Sequence, residues 1–136
     1  MKVIVDTNVI AYYILQTEGF VDEARSFWAS VSEPLAPSSW KPELANTVWL
    51  NIQHGGLDLE VGLERLRLTE GLGIISVDPA EVWEAAIRRS AQRNHPAYDT
   101  LFVELAARES VPLATFDNGI LTKFPKIAMR PRDLVG

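Results

Sequence analysis

The sequence predicts an α/β fold: one domain of three layers, with helices on both faces of a central parallel sheet of four or five strands. Short apolar runs without polar alternation, such as Val3-Ile4-Val5, suit strands that are covered on both faces. These runs alternate with longer stretches of helical spacing, the pattern of strand–helix units joined by right-handed crossovers. The chain of 136 residues contains no internal repeat, low-complexity stretch or linker rich in Pro, Gly and Ser, so it reads as a single domain over residues 1–136.

Taken in order, Val3-Ile4-Val5 is the first strand, and Val9 to Leu15 a short helix after Asp6-Thr7-Asn8. Residues Glu18 to Val31 read as a second helix, with Val21, Ala24, Phe27 and Trp28 on one face. Pro34 to Pro37 is a short second strand and Ser38-Ser39-Trp40 a loop. Pro42 suits the first turn of a helix that runs to about Gln53, with Leu44, Val48, Trp49 and Ile52 as its apolar face and Gly55-Gly56 as its stop. Leu59 to Leu68 is a further helix, Ile74 to Val77 a third strand, and Pro79 to Gln92 a helix. Tyr98 to Arg108 follows as a helix, then Pro112 to Phe116 as the fourth strand. Asp117 to Lys123 is a helical turn or two, and Ile127-Ala128-Met129 a possible edge strand. Strand order does not follow from this pattern.

Composition narrows the setting. Apolar residues at 47% and charged residues at 23% are ordinary for a soluble globular protein. Cysteine is absent, no leader-like segment opens the chain, and no apolar run approaches the ~20 residues of a membrane span. A cytoplasmic protein is expected. The net charge of −5 opposes bulk attraction to a polyanion. That charge is uneven. From Asn118 onward, Lys123, Lys126, Arg130 and Arg132 against Asp133 leave +3, so the rest carries −8. A nucleic acid would have to be held locally, by a few cations or by a metal.

Four carboxylates stand at boundaries between apolar segments and helices: Asp6 after the first strand, Glu43 and Asp99 in first helical turns, and Asp117 after the fourth strand. Each reads in two ways. Asp is a favoured helix cap, and acids in a first turn suit the helix dipole. Asp78-Pro79-Ala80-Glu81 is assigned to capping alone, with Asp before Pro at the first helical position. Alternatively, the four converge at the carboxyl ends of the strands, where open α/β sheets bind ligands. Two carboxylates ~4 Å apart repel by ~4 kcal/mol at an effective dielectric near 20, so a cluster of four needs a cation or protons. An all-oxygen set suits Mg²⁺ or Mn²⁺, which recruits phosphate oxygens, lowers the pKa of bound water and points to phosphodiester hydrolysis.

Together, Val5-Asp6-Thr7-Asn8, the Pro42-Glu43 helix start, Tyr98-Asp99-Thr100-Leu101-Phe102 with Leu105-Ala106, and Pro112-Leu113-Ala114-Thr115-Phe116-Asp117 resemble the motifs of PIN-domain ribonucleases. Within that group they are most similar to VapC-type toxins of toxin–antitoxin pairs. The likeness implies a sheet ordered 3-2-1-4-5, an Mg²⁺-dependent ribonuclease with Mn²⁺ as substitute, RNA as substrate, a homodimer and a cognate antitoxin protein. It implies Asp6 and Asp99 as direct metal ligands, and Asp117 and Glu43 as ligands or holders of bound water. Thr115 matches the hydroxyl position beside the site. Glu43 lies in the least diagnostic stretch.

Other residues carry plainer readings. Asn8 is read as a turn residue, with orientation of Asp6 as the alternative. His54 and His95 are read as helix-end and loop residues. Trp28, Trp40, Trp49 and Trp83 are read mostly as core or interface, and Arg88, Arg89 and Arg93 as a solvated helix face or a basic rim for RNA. Two rivals stand beside the ribonuclease: a PIN-like module that binds RNA or protein without chemistry, and a phosphatase with Asp6 as nucleophile. Against the phosphatase, Asn8 occupies the place where such enzymes often carry a second Asp.

Overall fold

Val3, Ile4 and Val5 are fully buried in the central strand of a five-stranded sheet, in a computed structural model that describes residues 1–135. Burying each of these side chains contributes roughly 1.5–3 kcal/mol, enough to fix β1 (Lys2–Val5) as the axis of the fold. Its neighbours are β2 (Glu33–Pro37) and β4 (Leu113–Ala114), with Ile4 in register with Leu35 on one side and Leu113 on the other. The edges are β3 (Ile75–Val77) and β5 (Ala128–Met129). The order is β3-β2-β1-β4-β5 and every pairing is parallel.

Among the described residues, eight helices connect and cover these strands: α1 (Thr7–Ile14), α2 (Val21–Trp28), α3 (Trp40–His54), α4 (Leu59–Arg67), α5 (Trp83–Arg93), α6 (Ala97–Glu109), α7 (Asn118–Lys123) and α8 (Pro131–Leu134). Helix α6 buries Phe102, Val103, Leu105 and Ala106 and packs on β1, β2 and β4. α1 buries Val9, Ile10 and Ile14 and packs on α2 and α3. Among the described residues, no helix is long and apolar enough to cross a membrane.

The element pattern agrees with the sequence reading, and the differences are local. The second helix starts at Val21 rather than Glu18, because Gly19 has a φ of +88°. The helix expected from Pro79 breaks into a 3₁₀ turn, Pro79–Glu81, and then α5. Asp78 caps that turn as expected, its Oδ1 accepting the Ala80 N–H at 2.9 Å. α3 begins at Trp40, two residues before Pro42.

This order has a functional consequence. The chain builds outward from β1 through β2 to β3, then returns to start β4 on the other side. The strand order therefore reverses between β1 and β4. Crevices at such switch points, outside the carboxyl ends of the strands, are where open α/β sheets bind ligands.

Candidate active site

Asp6 leaves β1 at this switch point and is buried. It is both a helix cap and the centre of a polar network. Its Oδ1 accepts the Thr7 N–H at 2.7 Å, which caps α1. Its Oδ2 accepts the Thr115 hydroxyl at 2.7 Å, across the gap from β1 to β4. Thr115 Oγ1 in turn accepts the Asp117 N–H at 3.0 Å. One hydroxyl thus fixes two acids, and its complete burial holds it in that role.

Asn8 joins the same bridge. Its Oδ1 accepts the Phe116 N–H at 3.1 Å, and its Nδ2 lies 3.4 Å from Asp6 Oδ2. The plain turn reading of Asn8 is corrected here, because its amide ties the end of β1 to the end of β4. No local signal marks this, since Asn8 and Phe116 are 108 residues apart.

The other two acids come from first helical turns. Glu43 Oε2 accepts the Thr7 hydroxyl at 2.6 Å, which draws α3 onto the start of α1. Glu43 Oε1 and the nearby Ser39 Oγ are buried without a partner in hydrogen-bond geometry among the described residues. Asp99 sits in the first turn of α6 but does not cap it; Pro96 holds the cap position. Its Oδ2 lies 2.7 Å from His95 Nε2. An imidazole nitrogen facing a carboxylate must carry its proton, so His95 is the donor. His95 is therefore more than a loop residue: its side chain is only 8% exposed and meets the Phe124 ring edge-on. The spacing of four residues from Asp99 was the available signal. Asp117 caps α7, its Oδ1 accepting the Ile120 N–H at 3.0 Å.

These acids share one electrostatic environment. Burial, with Asp99 and Glu43 adding to it, pushes the Asp6 carboxyl up to about 7 despite its hydrogen bonds. Burial also raises Glu43, and the charge of Asp99 raises it further. Asp99 is raised by burial and by Asp117, against the lowering effect of His95. Asp6, Glu43 and Asp99 therefore each feel at least one other acid. Among the described residues, no three His, Cys, Asp or Glu side chains already close into a coordination group. The donor set nevertheless fits a hard divalent cation. It is all oxygen and gathers buried and half-buried carboxylates that raise their neighbours, an arrangement costly without compensation.

The family model of the PIN domain matches residues 3–127, nearly the whole chain. The chain belongs to the PIN-domain family. No curated protein matches it. The parallel sheet of order 3-2-1-4-5 is the PIN fold, and PIN domains are typically metal-dependent nucleases. Membership of the family suggests a nuclease, with RNA or DNA as the kind of substrate PIN nucleases act on. The remaining sequence readings sort by burial. Trp40 is buried and Trp28 donates its Nε1–H to the Val9 carbonyl at 3.2 Å, whereas Trp49 and Trp83 are half exposed. Arg89 and Arg93 are not a free solvated face, because Arg89 pairs with Glu104 and Arg93 donates to the Lys123 carbonyl.

Proposed function

We propose that this single PIN domain is an endoribonuclease that hydrolyses RNA phosphodiester bonds, with Asp6, Asp99, Asp117 and Glu43 holding Mg²⁺ (or Mn²⁺ in its place). The observation that carries the reading is that Asp6, Glu43 and Asp99, from three separate segments at the switch point of the sheet, are each raised by burial and by a neighbouring acid. When bound, the metal lowers the pKa of water and neutralises charge at the phosphoryl centre. The chain's own groups do the rest. Thr115 and Asn8 lock the Asp6 carboxylate in one rotamer, and His95 does the same for Asp99. Glu43 and Asp117 orient the attacking water and accept its proton.

Likeness to VapC-type toxins supports a toxin role in the cytoplasm, with a cognate antitoxin protein and a homodimer as its assemblies. Trp83, Ile87 and Tyr98 on α5 and α6 are more than half exposed and leave apolar surface for such contacts.

The test is cleavage of RNA in the presence of Mg²⁺ by the wild type, Asp6→Asn and Asp99→Asn, with circular dichroism to check the fold. Both variants are expected to lose activity by at least about a hundredfold while staying folded. Cleavage at the wild-type rate by both would remove the assignment.

A further inference from the structure

A groove of about 520 Å³ runs between α5 and the segment that follows α7. Arg89, Arg93, Lys123 and Lys126 line it, together with Gln92 and Phe124, and no carboxylate does. In a chain of net charge −5 this is a local reversal of sign. Arg89 is partly neutralised by Glu104 outside the lining, while Lys126 is exposed and has no ion-pair or hydrogen-bond partner among the described residues.

The groove also adjoins the acids. Phe124 forms part of its wall, His95 packs edge-on against that ring at 5.5 Å between centroids, and His95 donates to Asp99 at 2.7 Å. One aromatic ring and one imidazole separate the basic groove from an acid of the site. The groove is held in shape from both sides, because Arg93 donates to the Lys123 carbonyl and Lys123 Nζ to the Asn94 carbonyl at 2.7 Å. Phe124 itself is buried, so the groove presents charge without an exposed ring on which a base could stack.

We propose that this groove holds the phosphate backbone of the nucleic-acid strand that leads into the carboxylate site. The strand's identity rests on the nuclease reading above; the groove's chemistry does not. Contacts to phosphates position a strand and carry no sequence information, so the groove sets register and affinity and leaves base choice to other surfaces.

The experiment measures binding of a fluorescein-labelled single-stranded RNA 12-mer by anisotropy, in EDTA, as salt is varied. For wild type, the logarithm of the association constant should fall linearly with the logarithm of salt, with a slope of roughly −2 to −3 for three or four phosphates at about −0.7 each. Gln92→Glu with Lys126→Glu alters two exposed side chains that have no hydrogen-bond or ion-pair partner among the described residues, so the fold is spared. The double variant should bind about tenfold or more weakly with a slope shallower by about 0.7. The loss should be equal for a DNA 12-mer and for a scrambled sequence. Arg67→Glu on α4, an exposed cation on a helix that packs on α3, should change little.

Unchanged affinity and slope in the double variant would overturn the proposal. So would an equal loss in Arg67→Glu, or a loss confined to one base sequence. Metal-dependent cleavage that vanishes in Asp6→Asn, but keeps its kcat and KM in the groove variant, would leave the nuclease reading intact and remove this one.

Discussion

Asp6 carries the largest electrostatic cost in the molecule, and that cost has a direction in pH. Its carboxyl titrates near 7 when folded and near 3.8 otherwise, because burial and the neighbouring acids disfavour the anion. Between those values the folded protein holds a proton that the unfolded chain has released, so stability falls as pH rises through this window. At 1.36 kcal/mol per pKa unit the loss is at most on the order of 4 kcal/mol. Urea unfolding in EDTA should therefore show the wild type weakening between about pH 4 and about pH 7. Asp6→Asn should be markedly flatter across that range and the more stable of the two at the upper end, since Asn still offers an oxygen to the Thr7 N–H and an N–H to Thr115 Oγ1. Identical pH profiles would show that Asp6 is not the strained group.

At the scale of elements, the site depends on how α5, α6 and α7 are tied together. His95 lies between α5 and α6, packs on Phe124 just after α7, and directs Asp99 from one side. Carboxylates that bind metals are oriented by such outer partners, and loss of one typically costs 10–100-fold in metal affinity. His95→Ala should weaken Mn²⁺ binding by about that factor in calorimetry, and His95→Gln, which keeps a donor, should recover most of it. Equal losses in both variants, matched by equal losses of thermal stability, would reduce His95 to packing. The sequence made the elements legible because strand runs and helical spacing alternate cleanly. It did not reveal Asn8, whose partners lie on β4 more than a hundred residues away. Sheet order came from the motif resemblance, since a two-residue strand such as Leu113–Ala114 carries no pairing signal of its own.

For the whole molecule, the question is how a chain of net charge −5 handles a polyanion. Four of its 18 acids stand at the switch point of the sheet and a groove lined by four cations lies beside them, so the surface is divided rather than uniformly repulsive. The positions of Asp6, Glu43, Asp99 and Asp117 were legible as helix starts, and helix starts they are; Asp6 and Asp117 also cap their helices. Capping and clustering were not alternatives, because a residue that ends a parallel strand and opens the next helix lies at the ligand-binding edge by construction. What the sequence withheld was the depth of burial, which makes the cluster costly unless a cation or a bound proton compensates it.

Calorimetric titration of the metal-free protein with Mn²⁺ near pH 7 tests that requirement most directly. The account predicts saturable binding that is abolished in Asp6→Asn and releases about half a proton per Mn²⁺ from Asp6 alone, read from the dependence of the heat on buffer. Absence of binding, or equal binding by wild type and Asp6→Asn, would contradict it.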